Sequence, residues 1–390
     1  MNDNADSHND DTFEDAQDGI GCSSPRRRVQ NALAHRQPER VPFSWQFCAT
    51  PEMGRCLQEE LANRGISWRA LCSATEDITS IAPAYCGPEK FAKGAWDIWG
   101  IRWKDVSYAD GTYREVDNYP LAGIDSVVAL DDYPWPDPQW YDYEGLVKQV
   151  AGADRNKAMK FWAFNPFETL CWMTGLEEVL CNCAVRPDLV VRGLQHITNF
   201  YEQRLARSLE VVGADVDIVF FFDDLGSQNG PLISRGMYCD IIKPFHQRLF
   251  RKSRELAPRA KVMMHSDGSV FALLDELIDA GLDVLEAVQV ECARMEPRRL
   301  KDTFGDRLSF HGAISVQQLL PKADAQTVER TCRELVEILG DGGGYIAAPS
   351  HAIQIGTPVE NVLAMLKGVL GVDEYEAALV GAGHRPRPTR

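Results

Sequence analysis

From residue 155 to residue 351 the chain repeats one pattern, a short run of apolar, β-branched or aromatic residues followed by a longer stretch of helical periodicity. The runs are KFWAFN (160–165), DIVFFFDD (217–224), KVMMHSD (261–267), DVLEAVQ (283–289), LSFHGAI (308–314) and YIAAPSH (345–351). A run apolar on both faces suits a strand covered on both sides, and the stretches between supply the helical crossovers that parallel strands need. RVPFSWQF (40–47) and DITSIAPAY (77–85) bring the count of such runs to eight. Eight βα units predict an α/β fold, a single (β/α)8 TIM-like barrel whose chemistry sits at the C-terminal ends of its strands. A doubly wound open sheet is the other arrangement of such units, but no GxGxxG follows the first run, so its dinucleotide-binding version has no support.

Residues 86–155 break the rhythm and predict an antiparallel insertion between the second and third strands. WDIWGIRWKDVSYADGTYREVDNYPL alternates apolar and polar residues across Asp110-Gly111, a strong hairpin signal. The following DDYPWPDPQWYDYEG, rich in proline and aromatic rings, predicts an irregular loop packed by its own side chains. The insertion serves either as a cover for one mouth of the barrel or as a substrate lid. The barrel is expected over residues 26–375, with a flexible tail at 376–390. Residues 1–25 read as a disordered acidic tail, because they are polar and Asp3, Asp6, Asp10, Asp11, Glu14, Asp15 and Asp18 face no lysine or arginine before Arg26. The tail resembles neither a secretory signal nor a transit peptide, so a cytoplasmic location is expected.

The net charge of −16 argues against a broad nucleic-acid surface, and no apolar run reaches membrane-spanning length. The 11 cysteines are scattered with no CxxC pair, which predicts reduced, mostly buried thiols. Cys181 and Cys183 are two apart on a predicted helix and so point to different faces.

The strand ends hold the chemistry. Asp223 and Asp224 close one run, His265 and Asp267 the next, Gln289 follows a third, His311 lies in a fourth and His351 ends the last. In an extended chain residues two apart share a face, so HSDG (265–268) aims His265 and Asp267 together. Across the mouth, His351 would complete a set of two imidazoles and one carboxylate, suited to zinc or another divalent metal with positions left open for substrate. Without a metal, the same residues form an acid-base set. Adjacent carboxylates at a strand end face opposite ways, so one of Asp223 and Asp224 enters the mouth as proton donor or substrate anchor. His311 and Gln289 are expected to contact the substrate.

In order and spacing FFFDDLGSQNGPLISRGMYCDIIKPFHQRLF, MMHSDGSVFALLDELIDAGLDVLEAVQ, LKDTFGDRLSFHGAIS and GGGYIAAPSHAIQIGTPVENVLAM resemble the uroporphyrinogen decarboxylase superfamily. That superfamily includes the haem-pathway decarboxylase and the cobalamin-related methyltransferases. The resemblance covers about residues 26–370 and implies a (β/α)8 barrel, often dimeric. His351 in SHAI stands where the decarboxylase has a histidine, but its arginine-rich RQAGR loop is replaced by WQFCATPEMGRCL with only Arg55. IAPAY stands where the decarboxylase's catalytic aspartate would end the second strand, and Trp172 and Met173 stand near its expected tyrosine, so Trp172 joins the substrate-binding candidates. Against the methyltransferase zinc site of an H-x-C and a later cysteine, His265 matches, Asp267 replaces the first cysteine and His351 the second. The resemblance thus implies a metal-assisted methyltransferase acting on a small methoxy or methylamine metabolite, with a corrinoid protein as methyl acceptor. The alternatives are a decarboxylase of a small aromatic or heterocyclic acid, less readily of a porphyrinogen, and a ligand-binding barrel without catalysis.

Overall fold

The computed structural model describes residues 23–108 and 111–384. The acidic tail through residue 22, the far C-terminal residues from 385 and Asp110 of the expected hairpin turn lie outside the described residues. Seven parallel strands form one curled sheet: β1 (Ile78–Ile81), β2 (Ala158–Trp162), β3 (Ile218–Phe222), β4 (Lys261–His265), β5 (Val284–Val288), β6 (Ser309–Ile314) and β7 (Tyr345–Pro349). They follow one another in space in chain order, with registers such as Lys160↔Ile218 and His265↔Glu286. β5, β6 and β7 are buried at every position, which is why their sequences do not alternate.

Two sets of side chains follow from this burial. Ile78, Ile218, Phe220, Met263, Val284 and Ile346 pack together with Val29 and Leu33 of helix Pro25–Leu33. That helix starts at Ser24, whose hydroxyl accepts the Arg27 amide at 3.3 Å, with proline at its first position. Burying Val29 and Leu33 contributes about 1.5–3 kcal/mol each. The alternate strand residues, including Val219, Phe221, Val262, Met264 and Leu285, join the core beneath the surrounding helices, of which Pro187–Val212 is the longest at 26 residues.

The expected eight ladder strands are corrected to seven. Residues 40–47 form no ladder strand, only a parallel bridge of Phe43 to Ala347. Ala347 donates its amide to the Pro42 carbonyl and Ser44 its amide to the Ala347 carbonyl, both at 2.9 Å, while Asp77 donates its amide to the Phe43 carbonyl at 2.9 Å. This segment therefore touches both outer strands of the sheet. It does not extend as a ladder because Pro42 has no amide to give, the Phe43 amide goes to the Asp77 carboxylate at 2.8 Å, and Gln46 and Cys48 turn the chain with φ of 50° and 58°. The run 77–85 is also shorter than expected: β1 ends at Ile81, and Ala84–Tyr85 pairs antiparallel with Tyr141–Asp142.

Between β1 and β2 the strands Trp103–Tyr108 and Gly111–Val116 pair antiparallel, from Trp103↔Val116 to Tyr108↔Gly111. Trp99, Tyr133 and Trp135 pack edge to face beside them. Helix Val372–Gly381 continues beyond residue 375, so the ordered fold passes the boundary the sequence suggests. Every cysteine among the described residues is a free thiol. Among the described residues no helix is long and apolar enough to cross a membrane.

Candidate functional site

His265, Asp267 and His351 meet at the C-terminal ends of β4 and β7, each offering one donor atom, and those atoms lie within 4.8 Å of one another. Among the described residues this is the one group of three or more metal-competent side chains. Strand β4 delivers His265 at its last position, and Asp267, two residues on, lies on the same side. His265 Nδ1 is 2.6 Å from Glu286 Oε2, a carboxylate on β5 that is fully buried. The other ring nitrogen, Nε2, is left toward Asp267 and Asp224, each at 3.6 Å.

Each first contact has a support. Gln289 donates its amide to Asp267 Oδ1 at 3.0 Å and accepts the Gly268 amide at 2.8 Å, fixing the carboxylate's direction. Gln289 therefore holds Asp267. Asp224 accepts the Asp267 amide at 2.8 Å and reaches the mouth. Phe47 stacks on His351, with centroids 4.9 Å apart, and sets its edge against His265 at 5.4 Å. The two imidazole rings lie 6.0 Å apart, tilted by 58°.

Electrostatics follows from burial and these neighbours. Burial opposes a charge on His265, but the Glu286 carboxylate, with Asp267 and Asp224, outweighs it and pushes the imidazole up to about 10. Glu286 goes the other way: burial penalises its charge, yet the His265 imidazolium holds it below the usual carboxylate range. Burial raises Asp267, against the pull of His265. Glu168, in helix Pro166–Thr174, is pushed up to about 8 by burial first and then by Asp224 and Asp223, although it accepts a hydrogen bond from Asn165 at 2.7 Å. A carboxyl group so placed holds a proton at neutral pH and can give it up.

Two candidates are corrected. Asp223 is fully buried, 2.8 Å from His246 Nε2, and it accepts the Glu168 amide at 2.8 Å and the Phe167 amide at 3.2 Å. It anchors the start of helix Pro166–Thr174 and faces away from the mouth, as the alternation of adjacent strand residues requires. His311 is also fully buried, 3.9 Å from Glu286 Oε1, and its ring nitrogens have no hydrogen-bond partner among the described residues. Burial holds it uncharged, pushed down to about 3, beside Glu286 and out of contact with solvent.

Trp172 sits elsewhere, on the wall of a cleft of about 560 Å³ that also includes Asn165, Phe164 and Tyr201. Asn165 links this cleft to the site through its bond to Glu168. Sequence reasoning missed Phe47, Glu168 and Glu286. Glu286 had a signal, an acid within the otherwise apolar DVLEAV of a doubly buried strand. Phe47 and Glu168 had none: the first is placed by a turn and the second by the start of helix Pro166–Thr174, and neither periodicity nor spacing marks them.

Lys160 lies under the same site, fully buried, with its ammonium on Gln46 Oε1 and over the rings of Trp162 and Phe220 at 5.4 and 5.0 Å. Burial lowers it to about 8. The carboxylates of Glu76 and Glu286 pull the other way.

Comparison with known proteins bears on this geometry. Residues 105–370 match the family model for uroporphyrinogen decarboxylase (URO-D). Uroporphyrinogen decarboxylases from strains of Coxiella burnetii are 22% identical over 236 residues, 59% of this chain. The match spans 62% of those relatives' length. A methyltransferase from Methanosarcina mazei superposes with a TM-score of 0.63 at 15% identity, over 89% of this chain and 98% of that one, and so shares the fold. With the family model matching well over half its length and a curled parallel α/β sheet carrying the site, the chain belongs to the uroporphyrinogen decarboxylase (URO-D) family.

Proposed function

We propose that the protein is a cytoplasmic metal-assisted methyltransferase acting on a small methylated metabolite, with a corrinoid protein as acceptor. The observation that carries this reading is the convergence of His265, Asp267 and His351, with the far nitrogen of His265 engaged by Glu286. Two imidazoles and a carboxylate are a fitting donor set for zinc or another divalent ion, and a carboxylate behind a ligating histidine is the usual way its tautomer is fixed. Zinc at these residues would supply Lewis acidity toward the substrate or a thiol. The reaction class is taken from the methyltransferase that shares the fold.

The chain's own groups do the rest. Glu286 orients the His265 ring and Gln289 the Asp267 carboxylate, so both present their donors without rearrangement. Glu168 holds the proton needed when the bond between the methyl carbon and its heteroatom breaks. The electron pair of that bond stays on the heteroatom, which takes the Glu168 proton, while the methyl carbon bonds to the acceptor nucleophile. Phe47 packs against both imidazoles and restrains their rings.

Elemental analysis of the purified protein tests the metal. About one zinc per chain, lost in His265→Ala and in His351→Ala, is expected; a metal-free protein after zinc loading and dialysis would refute the centre. Methyl transfer to a reduced corrinoid protein, followed by its visible spectrum, tests the reaction. A second reading, decarboxylation of a small aromatic acid with Glu168 protonating the product carbon, is favoured by the similarity to the Coxiella decarboxylases. Carbon dioxide release without corrinoid would select it.

A further inference from the structure

Most of the residues that line the cleft beside the site are aromatic. Phe91, Trp99, Tyr141, Phe164, Trp172 and Tyr201 surround a volume of about 560 Å³. That volume lies within the roughly 300–1,000 Å³ typical of small-molecule pockets. The rings are held by one another: Phe164 and Tyr201 are parallel at 4.5 Å, Trp99 meets Tyr201 edge-on at 5.3 Å, and Trp172 meets Trp103 edge-on at 5.5 Å. Walls locked in this way keep their shape and favour a flat guest that offers π-faces and edges in return.

Charge narrows the guest further. The acid on the wall, Asp97, is spoken for, since it accepts the Trp99 and Ile101 amides at 2.9 and 3.0 Å and the Trp103 indole at 2.9 Å. Behind the cleft, the guanidinium of the buried Arg204 lies 3.6 Å from the centre of Phe164 and 4.4 Å from that of Tyr141. Its Nε and Nη1 have no hydrogen-bond partner among the described residues. A fixed cation there already occupies the two rings electrostatically and repels a second cation, so an alkylammonium guest is disfavoured while a neutral or anionic ring is not. Asn165 lines the cleft and bonds Glu168, which in turn faces Asp224 and His265, so a ring seated in the cleft lies beside the proton-holding carboxyl.

We propose that this cleft is the substrate pocket and that it takes a planar aromatic methyl ether, neutral or carrying a carboxylate, in preference to a methylated amine. The choice of a methyl ether rests on the methyl-transfer reading; the choice of a planar, non-cationic ring rests on the cleft alone. The experiment is equilibrium binding, by calorimetry and by quenching of tryptophan emission, with methoxybenzene, 3-methoxybenzoate, benzoate, methylammonium and tetramethylammonium as probes. It uses the full chain. Saturable binding of the three aromatic probes, and none of the two ammonium ions, is expected. Trp172→Ala should weaken aromatic binding at least tenfold, and Tyr85→Ala, at the half-buried edge of the cleft, is a second variant should the first fail to fold. Ammonium ions that bind as tightly as the aromatic probes, or aromatic binding that survives both substitutions, would overturn the proposal. Aromatic binding without methyl transfer would leave the pocket standing and remove the reaction, whereas demethylation of methylamine with no aromatic binding would do the reverse.

Discussion

Replacing Glu286 with glutamine separates the two jobs that the carboxylate performs at His265. In the metal-free protein the two groups are buried and 2.6 Å apart, and the imidazole is pushed up to about 10. A metal at Nε2 must displace that proton. At pH 8, two units below the folded value, the displacement costs about 2.7 kcal/mol at about 1.36 kcal/mol per unit. Zinc affinity of the natural protein should therefore rise about tenfold per pH unit between pH 7 and 9, with about one proton released from His265 per zinc bound. In Glu286→Gln the imidazole falls back toward its ordinary value near 6.5 and is already neutral at pH 8, so the slope flattens and that proton release disappears. Loss of the orienting carboxylate weakens the site by about 10–100-fold, which shows at high pH where proton competition is gone in both proteins. The stability of the apo-protein follows the same pair. A raised imidazole contributes stability fully present below about 6.5 and lost as pH rises through about 10, and Glu286→Gln removes that contribution. The assay is a zinc titration against a chromophoric chelator in buffers of differing ionisation enthalpy, with urea unfolding in parallel. A flat slope in the natural protein, or an equal slope in both, would refute the reasoning.

Glu168→Gln should leave stability unchanged at pH 4 and raise it relative to the natural protein as pH climbs. The folded carboxyl keeps its proton up to about 8 while the unfolded one loses it near 4.5, so stability falls with pH across that window only when glutamate is present; parallel urea midpoints from pH 4 to 9 would contradict this. Asp223→Ala should destabilise by about 3–5 kcal/mol, because it strands His246 and frees the start of helix Pro166–Thr174, whereas a variant of native stability that lost only turnover would show Asp223 to be catalytic. Phe47→Ala should fold normally and bind zinc about tenfold more weakly, since each aromatic contact contributes about 0.5–1.5 kcal/mol to holding the histidines; unchanged affinity in the chelator titration would sink that role.

The parallel sheet was legible because strands buried on both faces must be apolar at most successive positions, and β3 to β7 are, with polar residues such as Glu286 and His311 as exceptions. Residues 40–47 carried the same signal and failed, because proline and a side-chain acceptor on Asp77 decide the hydrogen bonding there, and composition does not report either pairing. At the site, the spacing of His265 and Asp267 sufficed, since a two-residue offset on an extended chain has one geometric meaning. Asp223 against Asp224, and the burial of His311, depended on which face turns inward, which local sequence leaves open. The aromatic cleft was least legible, for its rings come from segments on both sides of the hairpin, from β2's exit and from helices, and only their assembly makes a surface.

The three donors come from strands at different positions in the sheet: β4 leads to His265 and Asp267, while His351 follows β7, 86 positions further along the chain than His265. An unfolded chain does not hold these two loops together. An ion gripped by both is therefore a clasp on the second half of the sheet, and at a free concentration about a thousand times its dissociation constant it would add about 4 kcal/mol to the folded state. If zinc binds as proposed, thermal stability would become a readout of metal supply, and a cell short of the metal would lose folded protein as well as turnover.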